Sequence, residues 1–245
     1  MAAQSRPTLI LTRPAEASAR FATQVRAAFG AMRVVVSPLM APVWLDPALP
    51  DAWDGVLFTS ETGVAGLARL TARRGPAVCV GARTAYVARA AGWQAKALGG
   101  DADRLVAALA AQRLAGHWLH ARGVDAAGNL AQRLNAAGLQ VTEALVYDQQ
   151  DQHLTQQARD ALTGADPVLI TVFSPRSARL FVAQAGGMTA PAQAVAISAA
   201  AAEPLAALMP GRVSVAQTPD APGMLAALGR VLGKDGGAGP APVYS

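Results

Sequence analysis

Two stretches of this chain turn from strand to helix in the same way. "GVLFTSETGVAGLARL" (55–70) and "VLITVFSPRSARLFVAQ" (168–184) each run a string of apolar β-formers straight into a hydroxyl, then continue with apolar residues at helical spacing. That pattern reads as a buried strand feeding a helix N-terminus. The likeness extends well beyond the two turns. "TLILTRPAEASARFATQVRAAFGAMRVVVSP" (8–38) and "HWLHARGVDAAGNLAQRLNAAGLQVTEALVY" (117–147) both read strand, arginine-bearing turn, helix, glycine, strand, which aligns Arg13 with Arg122. "AVCVGARTAYVARAAG" then matches "AVAISAAAAEPLAALMPG", and "AKALGGDADRLVAALA" matches "VSVAQTPDAPGMLAALGRV". Every element recurs in the same order, so the chain is an internal repeat.

Strands that alternate with amphipathic helices require right-handed crossovers and a mostly parallel sheet covered on both faces. Each half of the repeat, roughly 110 residues, is large enough to be one such α/β layer unit. With 245 residues and 52% hydrophobic content, the chain can bury a core of that kind. In these sheets ligands bind beyond the carboxyl ends of the strands. Those ends carry Thr12 and Arg13, Thr59 and Ser60, Gly81 to Thr84, Arg122, Ser174 to Arg176, Ser198, and Gln217 to Pro219. They are hydroxyls, arginines and glycines, with no carboxylate pair and no thiol.

Several function classes drop out. Cys79, the only cysteine, excludes an internal disulfide, and no Cys/His cluster has metal-site spacing. "VGARTA" and "GGDADRL" lack the Walker lysine and the full dinucleotide fingerprint. Apolar runs are too short for a signal peptide or a membrane span, so a cytoplasmic protein is expected. The net charge of +5 rests almost wholly on arginine, with Lys96 and Lys234 the only lysines. Codon bias would give this excess; so would a need for guanidinium forks that grip carboxylates or phosphates. No arginine run or aromatic platform points to nucleic acid. A small polyanion fits the charge better.

Each candidate also has an ordinary structural reading. Ser60, Thr84 and Ser198 would serve as helix N-caps, Arg13 would lie on a solvated loop, and His120 in "WLHARG" would be a strand residue rather than a base. The functional reading gains from recurrence, because the same hydroxyl and arginine chemistry returns at equivalent strand ends of both halves.

Taken in order, "LTRP", "LFTSETGV", "VGARTA", "GGDADRL", "ARG" before a helix, "LVY", "FSPRSA" and "AIS" resemble uroporphyrinogen-III synthases over nearly the whole chain. The resemblance implies two flavodoxin-like, doubly wound parallel-sheet α/β domains joined by a two-stranded linker. One would combine residues 1–37 with 150–233 and the other would span 42–145, with crossings near 37–42 and 145–150, where Pro38 and Pro42 mark a break in regular structure. Residues 234–245, rich in Gly, Pro and Ala, are expected to form a flexible tail.

The implied reaction closes hydroxymethylbilane, a linear tetrapyrrole with eight carboxylates, into uroporphyrinogen III, inverting the terminal ring and losing water. Carried over by position, Tyr147 matches a tyrosine proposed as proton donor, whose other reading is an aromatic packed at the linker. Arg13, Thr59, Ser60, Thr84, Arg122, Ser174, Pro175, Arg176 and Ser198 are the expected substrate contacts. "AISAAAAEPL" departs from the family pattern of Gly and Thr after "AI", leaving Ser198 the only hydroxyl there and handing that contact to backbone amides. No metal, no cofactor, no nucleic-acid or membrane partner, and a monomer are expected. A non-catalytic two-lobed α/β protein that binds a small polyanion is the alternative.

Overall fold

The computed structural model describes residues 7–98, 102–112, 115–125 and 129–233. The first half of the chain forms β1 (Thr8–Leu11), α1 (Ala15–Phe29), β2 (Val34–Val36), β3 (Met40–Trp44), β4 (Gly55–Phe58), α2 (Glu61–Leu70), β5 (Pro76–Cys79), α3 (Ala82–Ala90), β6 (Gln94–Ala97) and α4 (Ala102–Gln112). The second half forms β7 (His117–Gly123), α5 (Leu130–Ala136), β8 (Gln140–Asp151), α6 (Gln156–Thr163), β9 (Val168–Val172), α7 (Pro175–Gln184), β10 (Ala192–Ala196), α8 (Ala199–Ala206), β11 (Val213–Val215) and α9 (Ala221–Val231).

These elements build two sheets. One has five strands in the order β11-β10-β9-β1-β2, and the other has six in the order β3-β8-β7-β4-β5-β6. All four pairings of the first sheet are parallel, as are those joining β8, β7, β4, β5 and β6 in the second. The central strands β1, β9 and β4 are buried at every residue. A parallel sheet covered on both faces demands this, and it is why these strands read as unbroken apolar runs. Alternate residues feed opposite cores: Leu9 and Leu11 pack with Phe21 and Met224, while Ile10 packs with Ile170 and Phe181.

The repeat and the compact units do not coincide. Among the described residues, those up to Ala41 and from Asp151 onward form one unit, and Pro42–Gln150 form the other. The expectation that each half is its own layer unit is therefore corrected. The first repeat leaves β1 and β2 in one sheet and sends β4, β5 and β6 to the other. The second repeat sends β7 and β8 to join them and returns with β9, β10 and β11. Each sheet thus combines two strands of one copy with three of the other in one shared order, and the second sheet adds β3 at its edge beside β8. The register is shared too: Leu11 lies opposite Thr171 in the first sheet, and His120 opposite Leu57 in the second, each three residues before the serine that opens the next helix.

A second correction concerns Pro42, which lies inside β3 rather than at a break. β3 is the outermost strand of its sheet, and an edge strand tolerates a residue that cannot donate to the ladder. The expected tail, 234–245, lies outside the described residues.

Candidate active site

In each sheet the chain runs outward in opposite directions from two adjacent strands, β1 and β9 in the first and β7 and β4 in the second. Ligands of doubly wound folds settle beyond the carboxyl ends of such a pair. In the second unit those ends carry Thr59 and Ser60 after β4, and Arg122 and Gly123 closing β7.

Ser60 is the N-cap of α2; its side chain accepts a hydrogen bond from the Gly63 backbone N–H at 3.0 Å. Its Oγ also lies 3.2 Å from the Tyr147 hydroxyl, 87 residues away in sequence. Three glycines allow this approach. A Cβ at Gly63 would stand 2.6 Å from the Ala121 carbonyl oxygen, one at Gly66 2.5 Å from Val146 Cγ2, and one at Gly123 2.6 Å from the Tyr147 ring. Helix α2 therefore lies directly on β7 and β8, with the phenol over Gly123. A register shift between Arg122 and Gly123 sets Gly123 opposite Tyr147, and bulges of this kind re-aim a side chain at a strand end.

Side chains alternate across the sheet, so Thr59 points to the face opposite Ser60. Its Oγ1 lies 3.4 Å from Nε2 of His120, which is 2% exposed. His120 Nδ1 is 3.6 Å from Glu143 Oε1, and Arg122 Nε is 3.4 Å from the same oxygen. Neither nitrogen makes a hydrogen bond. Burial, aided by the neighbouring Arg122 guanidinium, pulls the His120 pKa down to about 4, so the imidazole is neutral near pH 7. Arg122 also donates from Nη2 to the Val124 carbonyl at 3.2 Å.

In the first unit Ser174 caps α7. Its Oγ accepts from the Ser177 N–H at 3.1 Å, while Ser177 Oγ accepts from the Ser174 N–H at 3.2 Å, and Pro175 fills the first helical position. Arg176 is not an unpaired cation: its Nε and Nη2 donate to Asp151 Oδ1 at 3.1 and 2.8 Å. Arg13 stacks on the Phe173 ring, 4.4 Å from its centroid, instead of lying on a solvated loop. Ser198 caps α8. Thr84 is no N-cap: Gly81 caps α3, and Thr84 is buried in the first turn.

The expected residues thus fall into two groups. In the second unit Ser60 meets Tyr147 while Thr59 and Arg122 belong to the His120–Glu143 cluster, and Arg13, Ser174, Pro175 and Arg176 line adjoining strand ends in the first. Thr84 and Ser198 stand one strand further out. Sequence reasoning passed over Glu143 and Asp151 and left His120 as a strand residue. The spacing of His120 and Arg122 by two on one strand was a visible signal, but their meeting with Glu143 depends on a register that sequence does not give.

Comparisons with known proteins bear on the fold and the family. Uroporphyrinogen-III synthetase from Helicobacter pylori 26695 superposes with a TM-score of 0.61 at 16% identity, covering 93% of this chain and 99% of that one. That match concerns the fold. A substituted uroporphyrinogen III synthase from the extremely thermophilic bacterium Thermus thermophilus aligns at 17% identity over 94% of this chain and 100% of its own, with a TM-score of 0.48. No curated protein matches by sequence. The family model for uroporphyrinogen-III synthase HemD matches residues 20–226. Since that match spans most of the chain, the protein belongs to the uroporphyrinogen-III synthase family.

Proposed function

We propose that Tyr147, held by Ser60, is the general acid with which this chain converts hydroxymethylbilane to uroporphyrinogen III. The chain is an enzyme of the cyclising lyase type, and its family acts on a tetrapyrrole. Ser60 Oγ accepts from the Gly63 N–H, and in this reading it donates its own proton to the Tyr147 oxygen, 3.2 Å away. The phenol proton is then available to the departing hydroxyl. A pyrrole nitrogen pushes electrons toward the hydroxymethyl carbon, the C–O bond breaks, and the hydroxyl takes that proton and leaves as water. The resulting cation is attacked at the substituted position of the last ring. Fragmentation and recombination through the spiro intermediate invert that ring, and the proton lost on closure restores the phenol.

No step changes oxidation state, so no redox cofactor has a role. The protein's contribution is orientation with modest acid help. Arg13, Thr59, Ser60, Thr84, Arg122, Ser174, Pro175, Arg176 and Ser198 are the proposed substrate contacts, with the arginines on carboxylates. Asp151 holds the Arg176 fork in place until a substrate carboxylate takes it. Work as a monomer in the cytoplasm, without metal, completes the reading; the lone buried thiol of Cys79 suits a reducing compartment.

The observation that carries this proposal is the 3.2 Å contact between Ser60 and Tyr147 at the strand ends where such folds bind ligands. Its test is the single-turnover rate of Tyr147→Phe on fresh hydroxymethylbilane. A clear drop with the type III isomer still dominant supports the acid role, and an unchanged rate refutes it.

A further inference from the structure

The repeat supplies an internal control for the polar cluster around His120. Aligned on Ser60 and Ser174, His120 occupies the position of Leu11, and Thr59 that of Phe173. Glu143 lies opposite His120 just as Val36 lies opposite Leu11. Only the fourth member is the same in both units, Arg122 matching Arg13. The fold therefore accepts Leu, Val and Phe at these three places, and one unit uses them. In the other unit a buried imidazole, a carboxylate and a hydroxyl take their place, leaving His120 Nδ1 and Arg122 Nε without hydrogen bonds. Such a departure from what packing favours is the mark of a functional demand.

We propose that Glu143 and His120 orient Thr59 so that its hydroxyl proton is committed inward to His120 Nε2 and its oxygen is presented as an acceptor to a pyrrole N–H of the substrate. The inference rests on the functional reading above and adds to it a residue that acts through another. Its chemistry follows from the tautomer. A carboxylate 3.6 Å from Nδ1 favours the form with the proton on Nδ1. Nε2 is then a lone pair, and the hydroxyl of Thr59, with Oγ1 at 3.4 Å, can donate to it. With that hydrogen turned inward, the threonine oxygen has lone pairs left for a donor. Carboxylates offer none near pH 7, whereas each of the four pyrrole rings of hydroxymethylbilane carries an N–H. His120 is thus a positioning residue, and Thr59 the group that touches the substrate.

The test has two readouts. Long-range ¹H–¹⁵N spectra of labelled enzyme, with the His120 signals assigned by their loss in His120→Leu, should show the neutral Nδ1–H tautomer at pH 7. An Nε2–H tautomer overturns the proposal. In steady-state assays on hydroxymethylbilane, which also check the functional reading through the parent's own product, Thr59→Val and His120→Leu should each raise KM about 3- to 10-fold with a smaller change in kcat. The double variant should be no worse than Thr59→Val alone, because both remove one interaction. Thr59→Ser should restore the parent KM. Additive effects, or a parent-like KM in Thr59→Val, refute the proposal. Leucine is what the other unit uses at this position, so His120→Leu should fold. Should it not, Glu143→Gln serves instead: loss of the Nδ1–H bias together with a KM rise that vanishes in the Thr59→Val background supports the proposal, and an unchanged tautomer overturns it.

Discussion

At the scale of single residues, burial moves two titratable groups of the second unit in opposite directions, and both shifts can be measured. His120 stays neutral in the folded chain down to about pH 4, whereas an unfolded histidine gains its proton near 6.5. Between those limits the unfolded state binds the extra proton, so stability falls as the pH drops through that window and is unaffected above it. The total loss is up to about 3 kcal/mol. Thermal melts from pH 7.5 to 4.5 should show this decline, and His120→Leu should flatten it. His120→Leu should also melt no lower than the parent at pH 7, since it removes a buried, half-satisfied imidazole. Cys79 behaves oppositely: burial, partly countered by Arg89, pushes its thiol up to about 12. The native protein should resist a thiol-specific chromogenic reagent at pH 8 and react fully in denaturant. Rapid native reaction would mean that β5 opens readily.

At the scale of elements, α2 is the piece on which the site depends. Gly63 and Gly66 sit one turn apart on the face against β7 and β8, and Gly63 meets backbone rather than a yielding side chain. Gly63→Ala should therefore push the helix off the sheet, costing about 1–3 kcal/mol and lowering turnover by opening the Ser60–Tyr147 distance. Chemical denaturation and a rate assay together check this. An unchanged midpoint would mean that α2 is not seated as described. The helices and strands themselves were legible in the sequence, because βα units are local and their period shows in "LFTSETGVAGL" and "VFSPRSARLF". Ser60 and Ser198 as caps were legible for the same reason. What could not be read were pairings that depend on register: Ser60 with Tyr147, His120 with Glu143, Arg176 with Asp151. Thr84 was misread as a cap because glycine, without a side-chain oxygen, gives a weaker start signal than the threonine three residues on.

At the scale of the whole molecule, the repeat is the organising fact, and the two copies exchange their first two strands. That exchange was invisible to a reading of halves, because nothing local in "TLILTRP" says which sheet it will join. Only the family resemblance pointed to it. In the proposed function, the hydroxyl, arginine and phenol groups at the strand ends hold an octa-anionic tetrapyrrole while its last ring is inverted. Among the described residues, no three His, Cys, Asp or Glu side chains gather as metal ligands. Dialysis against a strong chelator should accordingly leave turnover intact, and recovery of lost activity by added metal would count against a metal-free reaction. The most direct measurement is to mix the purified protein with freshly made hydroxymethylbilane, oxidise the products, and separate the isomers by chromatography. Uroporphyrin III should exceed the type I isomer formed by spontaneous closure, in proportion to the enzyme added. A product ratio no different from the enzyme-free control would contradict the proposed activity.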